Sequence, residues 1–247
     1  MPIDRRALKQ RSQELIRTSR PRPILVGLVY SAVVIVIYLL SAQITMPSMT
    51  EAEYNRFMEY WMNGNVETAA RMLAAFQPSV SSSVVDFALQ LCHMVISAGF
   101  TIFVLNTIRN TDACYGNLLD GFGMFFRFIW LNILESIFIG LWSMLFVIPG
   151  IIAAYRYRLA IYIMIDHPDM SALACIRESK RLMAGRKMEL FTLDLSFIGW
   201  LLLSVIPVLG LLAVVWLVPY ISITCGLYYD AVKNTDAARN TPPAWES

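Results

Sequence analysis

Long apolar runs separated by short polar connections dominate the pattern along this chain. A helix needs about 20 apolar residues to cross the roughly 30 Å hydrocarbon core of a bilayer, because its backbone polar groups must be hydrogen-bonded within the segment. Three runs meet this requirement: residues 24–44 carry no charge, residues 87–108 hold His93 among apolar neighbours, and residues 128–148 are interrupted by Glu135 alone. The pattern predicts a transmembrane helix in each.

Three shorter apolar runs follow, at residues 151–165, 190–206 and 208–229. Breaks at Pro149-Gly150 and at Pro207 separate them from their neighbours, since proline and glycine commonly end helices. Two tight helical hairpins result. We therefore predict an all-α, polytopic membrane bundle of about six transmembrane helices, with one transmembrane domain over residues 23–232 and a cytoplasmic tail at residues 233–247.

Basic residues near the ends of the spans predict the orientation, because Lys and Arg are retained on the cytoplasmic side. Seven bases precede the first span and five lie between the fourth and the fifth, whereas residues 43–86 hold two bases and five acids. Six spans with both termini in the cytoplasm satisfy this distribution. The first run is long and lacks a small-residue cleavage site, so we expect a retained anchor and not a cleaved signal.

Two basic segments outside the bilayer predict amphipathic helices. Residues 1–22 place apolar side chains at helical spacing among bases, which suits a helix lying along an anionic leaflet; a disordered basic tail is the alternative. Residues 171–184 predict a second helix, capped by Ser171 and stopped by Gly185. The bases expected there to contact anionic headgroups are Arg177, Lys180, Arg181, Arg186 and Lys187. A solvated helix without lipid specificity fits this pattern equally well.

The long connection of residues 46–83 is predicted to form an outer helical hairpin. Two amphipathic stretches, 50–61 and 66–76, meet at a turn of asparagine and glycine, and residues 77–83 follow as a linker. Such a hairpin could rest on the outer headgroup boundary or cap the bundle.

Composition and charge narrow the functional classes. Apolar residues make up 57% of the chain and charged residues 15%, against about 45–50% and 25% in soluble domains, so a water-soluble enzyme is disfavoured. A net charge of +2 gives no basis for nucleic-acid binding. The four cysteines show no Cys-x-x-Cys spacing, so we expect neither a disulfide framework nor a zinc site. Motifs for nucleotide binding, serine hydrolysis and zinc proteolysis are missing, and we predict no cofactor, metal or catalytic residue.

Several motifs in the second half of the chain carry a family resemblance. They are Val147-Ile148-Pro149-Gly150-Ile151-Ile152, Ala154-Tyr155-Arg156-Tyr157, Arg177-Glu178-Ser179-Lys180-Arg181-Leu182-Met183 and Leu193-Asp194-Leu195-Ser196-Phe197-Ile198-Gly199-Trp200. This pattern resembles the bacterial membrane-protein family catalogued as domain of unknown function 975. The resemblance implies a multi-pass protein of the bacterial cytoplasmic membrane, and it brings no activity with it.

Polar residues at membrane depth are candidate functional residues, because each ionisable group there costs about 2.5–3.5 kcal/mol on insertion scales. The predicted intramembrane cluster consists of Asn132, Glu135, Arg156, Arg158 and Asp194. Glu135 and Arg158 lie at similar depth and could pair across a hairpin, while Asp194 could join them or pair with Arg127. The cluster is either a polar substrate or proton site or a set of ion pairs that fixes helix register. His93 is a candidate proton relay or a neutral side chain bonded to a neighbouring helix.

Three functional hypotheses follow from these patterns. The leading one is a non-enzymatic membrane protein that binds lipids, through their anionic headgroups, or another membrane protein or a second copy, and acts in assembly or regulation. The alternative is a transporter or export accessory for a small amphiphile or peptide, with Glu135, Arg158 and Asp194 in the pathway. An intramembrane hydrolase is the weakest, since only Ser136 beside Glu135 suggests a nucleophile.

Overall fold

The computed structural model of the chain describes residues 3–45, 49–75, 80–203 and 207–240. Within these ranges the secondary structure is helical and no strand is formed, which confirms the predicted all-α fold class. The helices are α1 Arg5–Thr18, α2 Pro23–Thr45, α3 Glu51–Met62, α4 Val66–Ala75, α5 Val80–Arg109, α6 Asn117–Asp120, α7 Phe125–Leu145, α8 Val147–Tyr157, α9 Ala160–Asp166, α10 Ala172–Leu182, α11 Lys187–Leu195, α12 Ile198–Leu203 and α13 Pro207–Asn240. A 3₁₀ turn at Gly121–Met124 links α6 to α7.

Five segments of the described chain are long and apolar enough to cross a membrane. They are Pro23–Thr45, Val80–Arg109, Asn117–Leu145, Val147–Asp166 and Val215–Ala237. The third combines α6, the 3₁₀ turn and α7, and the fourth combines α8 and α9. By length and composition, this is a multi-pass membrane protein.

The predicted span at residues 190–206 takes a different form in the structure. Two short helices, α11 and α12, cover most of it, and they are interrupted at Ser196 and Phe197. The Ser196 hydroxyl donates to the Leu193 carbonyl oxygen, and the Phe197 ring is buried edge-on against Tyr220. These contacts hold a break in the helix, and residues 204–206 lie outside the described ranges. Five candidate spans are therefore found there, against about six predicted.

The predicted hairpin between the third and fourth spans is present, with its break three residues before Pro149. Phe146 is extended and α8 starts directly after it, so Pro149 lies in the first turn of that helix, where its missing N–H is tolerated. Gly150 packs directly against Ser143 of α7, and a Cβ atom at this glycine would collide with the serine side chain. The close packing of α7 on α8 therefore depends on a glycine at this position.

The chain divides into two compact units: Met1–Ser31 with Met94–Ser247, and Ala32–His93. In the second unit, α3 and α4 form the predicted helical hairpin. Thr50 caps α3, and its backbone N–H donates to the Glu53 carboxylate over 2.8 Å, which lowers the pKa of Glu53.

The predicted linker at residues 77–83 is wrong over its last part. α5 begins at Val80, so the serines at 81, 82 and 83 are helical, while residues 77–79 and Phe76 lie outside the described chain. Three consecutive serines favoured a linker in the sequence, but they extend the first turn of the apolar helix that follows.

In the first unit, α1 docks on α13 and contributes to the protein core. Leu15 and Ile16 are 3% and 4% exposed, and the Ser12 hydroxyl is hydrogen-bonded to that of Thr224 over 3.0 Å. The predicted helix is therefore present, and the disordered tail is not. The expectation that its apolar face lies on lipid is wrong, because that face packs on protein.

Candidate functional site

Two of the charged residues predicted at membrane depth, Arg158 and Asp194, approach each other in the structure. Arg158 Nη1 lies 4.0 Å from Asp194 Oδ2, and the Tyr155 hydroxyl donates to the same oxygen over 3.1 Å. These contacts join the turn between α8 and α9 to α11. Because the charges compensate each other, the arrangement suits residues that hold helices together.

Glu135 and Asn132 lie apart from this ion pair. Glu135 is half-buried on α7 and takes part in no ion pair with the described residues, so the predicted pairing with Arg158 is not formed. Asp194 likewise pairs with Arg158 and not with Arg127. The Asn132 side-chain amide donates to the Phe128 carbonyl oxygen of its own helix over 2.9 Å. Sequence spacing left the rotation of each helix undetermined, so it could not show which of these side chains meet.

His93 is half-buried on α5 and makes no hydrogen bond to any other residue that the structure describes. Its role as a proton relay stays a prediction.

The fourth candidate span is interrupted at Arg158 and Leu159, between α8 and α9. Ser179 of α10 lies fully buried at this interruption. Its hydroxyl donates to the Arg156 carbonyl oxygen over 2.8 Å and accepts from the Leu159 N–H over 3.2 Å. A single side chain thus bridges both sides of the break, which attaches α10 to the span. The sequence patterns did not indicate this role for Ser179.

The basic helix α10 has the predicted ends. The Ser171 hydroxyl accepts from the Ala174 N–H over 3.3 Å, and Gly185 adopts φ +76° shortly after the helix ends at Leu182. Its apolar side packs on α7, α8, α9 and α13. Ile176 and Met183 of the predicted stripe are buried in this packing, whereas Leu173 is 47% exposed.

A groove of about 490 Å³ lies between α7, α8 and α10. Its lining consists of the aromatic residues Phe138, Trp142 and Tyr157, the aliphatic residues Leu173 and Ile176, and the bases Arg177 and Lys180. We call it the cationic groove. It combines an apolar wall with two positive charges, both on the exposed side of α10.

The charges of the cationic groove have no acidic partner in the described chain. Neither Arg177 nor Lys180 takes part in an ion pair or side-chain hydrogen bond there. Arg156 is similarly unpaired through its side chain, and it lines a smaller cavity of about 160 Å³ that shares Trp142 with the groove. Trp142 therefore lines one cavity with Arg177 and Lys180 and the other with Arg156. The volume of the cationic groove is within the roughly 300–1,000 Å³ of small-molecule sites.

The other bases predicted to contact lipid lie in different settings. Arg181 pairs with Glu178 and with Asp236, each over 2.7 Å, and the guanidinium lowers the pKa of Glu178 while the two acids raise that of Arg181. Arg186 is half-buried, and its carbonyl oxygen accepts from the Tyr228 hydroxyl. Lys187 begins α11. Two of the five predicted bases therefore line the groove.

A charged cluster that the sequence patterns did not indicate joins the C-terminal ends of α5 and α9 to residues 229–233 of α13. The Asp166 side chain is 5% exposed and binds Arg109 and Lys233, each over 2.6 Å, and it accepts from the Tyr229 hydroxyl over 2.8 Å. Arg109 also contacts Asp230 over 2.7 Å. Each charged residue lies at or near the end of an apolar run, and this shared position is the sequence feature from which the cluster could have been predicted.

Residues 144–236 match the family model described as Protein of unknown function (DUF975). The matched segment starts at the end of α7 and includes the helix break, Ser179 and the α10 wall of the cationic groove. The chain matches no curated protein and no solved structure. The resemblance inferred from the sequence motifs is therefore confirmed over residues 144–236, the segment that this chain shares with the DUF975 family.

Proposed function

We propose that this membrane protein binds an anionic phospholipid in the cationic groove and acts, without enzymatic chemistry, as an assembly or regulatory factor. The observation that carries the proposal is the pair of unpaired bases, Arg177 and Lys180, at an aromatic and aliphatic groove. An anionic headgroup supplies the missing negative charge, and an acyl chain suits the apolar wall.

The chemistry of the two bases fits a lipid phosphate. A guanidinium binds phosphate through two parallel N–H donors, and an ammonium adds a mobile point charge. Each base near an anionic membrane surface contributes about 1 kcal/mol of binding free energy. Together, Arg177 and Lys180 would therefore favour an anionic lipid over a neutral one by about 2 kcal/mol, or roughly 30-fold in affinity.

The apolar wall fits the rest of the lipid. Trp142 is 43% exposed and Leu173 is 47% exposed, so both retain surface that a lipid chain can cover. Phe138 and Tyr157 pack on one another with ring centroids 6.1 Å apart, which gives the groove a rigid aromatic side.

The location that we propose follows from the same charges. We propose the inner membrane of a bacterium, with α1, α10 and both termini on its cytoplasmic side, and the basic residues on α1 and α10 support this orientation.

The transport hypothesis has weaker support. It requires a water-filled path to Glu135, Arg158 and Asp194, yet Arg158 and Asp194 are engaged with each other. Neither the cationic groove nor the cavity beside Arg156 is lined by any of these three residues.

Native mass spectrometry of the full-length protein in detergent micelles tests the lipid proposal. We expect phosphatidylglycerol to be retained more strongly than phosphatidylcholine of the same chain length. Arg177→Gln with Lys180→Gln should abolish this preference, a change of roughly 30-fold.

The matched control removes two exposed bases of α1, through Arg5→Gln with Arg6→Gln. This variant has the same net charge as the groove variant and should keep the preference. If both variants lost the phosphatidylglycerol preference equally, net charge would explain it and the groove would have no specific role. If the groove variant kept the preference, the proposal would be overturned.

A further inference from the structure

A second groove, of about 400 Å³, lies between α7, the end of α9 and the start of α10. We infer that it binds a zwitterionic phospholipid whose headgroup carries a primary ammonium. The groove is lined by one base, Arg127, and one acid, Asp169, and we call it the mixed-charge groove. It shares Leu173 with the cationic groove, but their charged residues differ, so the two inferences are independent.

The two charges of the mixed-charge groove are exposed at the protein surface and do not compensate each other. Arg127 and Asp169 are both exposed, and their charged atoms are more than 4.0 Å apart, since they form no ion pair. Neither side chain makes a hydrogen bond to any residue in the described ranges. A groove with separated positive and negative charges is complementary to a ligand whose own negative and positive charges are also separated.

A phosphoethanolamine headgroup has this charge distribution. Its phosphate suits the guanidinium of Arg127, which offers several N–H donors in a plane. Its ammonium offers three N–H donors to the carboxylate of Asp169, whereas the quaternary ammonium of choline offers none. The acid therefore distinguishes between two lipids of equal net charge.

The apolar part of the groove suits the glycerol and upper acyl region of such a lipid. Phe126 is 82% exposed and Trp130 is 57% exposed, and both lie near the start of α7, where the predicted span enters the membrane. Aromatic side chains concentrate at this level of a bilayer, beside the headgroups. Arg127 lies between these two aromatic residues in the sequence, so the positive charge and the apolar surface both belong to the first two turns of α7.

The test compares three lipids of identical acyl chains on the full-length protein in micelles, by native mass spectrometry. We expect phosphatidylethanolamine to be retained at least about fivefold more strongly than phosphatidylcholine, as one added hydrogen-bonded contact implies. Asp169→Asn should reduce phosphatidylethanolamine to the phosphatidylcholine level. Arg127→Gln should weaken both zwitterionic lipids. Retention of phosphatidylglycerol by the cationic groove should persist in both variants.

Two further variants keep the outcome unambiguous. Asp112→Asn removes an exposed acid that does not line the groove and should leave the lipid preference unchanged. Asp169→Glu keeps the carboxylate and should keep the preference even if the asparagine variant folds poorly. Equal retention of phosphatidylethanolamine and phosphatidylcholine by the unmodified protein, or an unchanged preference in a folded Asp169→Asn protein, would overturn the inference. If the unmodified protein showed no preference for phosphatidylglycerol, the proposal for the cationic groove would fail, and the inference about the mixed-charge groove would be unaffected.

Discussion

The hydroxyl group of Ser179 makes two hydrogen bonds at the interruption between α8 and α9. A break inside an apolar span exposes backbone groups that the helix no longer pairs, and such groups are costly away from water. Ser179 donates to one backbone group and accepts from the other, so it reduces this cost on both sides of the break. It also couples α10, which forms one wall of the cationic groove, to the span.

We expect Ser179→Ala to destabilise the protein by about 1–3 kcal/mol, because buried backbone groups at Arg156 and Leu159 lose their side-chain partner. Thermal unfolding in detergent, followed by circular dichroism, measures the change. Ser136→Ala serves as the control, since Ser136 is exposed on α7 and should tolerate the change. A folded Ser179→Ala protein with the Tm of the unmodified chain would contradict this role for the hydroxyl.

Some residues of the site could be predicted from the sequence, and others could not. The cap at Ser171 and the stop at Gly185 are local features, determined by a few neighbouring residues, and both were predicted. The partner of Arg158 and the role of Ser179 depend on how α8, α10 and α11 rotate against each other. Periodicity along one helix indicates its apolar face, but not which residue of a neighbouring helix that face meets.

At the scale of elements, α1 shows how the same amphipathic pattern can serve lipid or protein. Its basic face and apolar stripe predicted a helix on a membrane surface, but α13 presents a complementary face with Thr224 at its centre. Lys9 of α1 also contacts protein, since its ammonium lies 4.5 Å from the centre of the Phe197 ring. Partial burial there, together with the nearby charge of Arg5, lowers the pKa of Lys9.

Docking of α1 predicts a specific cross-link. Ser12→Cys with Thr224→Cys, in a chain whose four native cysteines are replaced by alanine, should form a disulfide in oxidised membranes, because the two hydroxyl oxygens are 3.0 Å apart. Mass spectrometry of the digested protein detects the linked peptides. Arg11→Cys with Thr224→Cys is the matched control, since position 11 is exposed on α1. Equal cross-linking of the two pairs, or none in the first, would contradict the docked helix.

The long spans were predictable as elements because their length and apolarity are sufficient. Predicted residues 24–44 and 128–148 correspond to α2 and α7 within a few residues. The break within residues 190–206 could not be predicted from the sequence, because it depends on the burial of Phe197 against Tyr220 of α13. Mean apolarity along a segment cannot reveal a break that is stabilised by tertiary packing.

At the scale of the whole first unit, the charged cluster around Asp166 constrains the path of the chain through the membrane. It joins the C-terminal ends of α5 and α9 to residues 229–233 of α13, so these three parts of the chain lie on the same side of the unit. If α13 crosses the bilayer, the chain must first return to the opposite side between Asp166 and Pro207. The described helices between these two residues are α10, α11 and α12, and none of the five candidate spans lies among them.

The same cluster should limit the stability of the bundle. Asp166 is 5% exposed and compensates Arg109 and Lys233, whereas Asp230 is 21% exposed and contacts Arg109. Asp166→Asn leaves two cations with less compensation and should cost about 2–4 kcal/mol, given that both cations keep partial contact with solvent. Asp230→Asn should cost less, about 1 kcal/mol, because Asp230 pairs with Arg109 alone in the described chain and is more exposed than Asp166. Thermal unfolding in detergent ranks the two variants, and because each removes one negative charge, net charge cannot explain a difference. A larger loss in Asp230→Asn would contradict the central role assigned to Asp166 in the cluster.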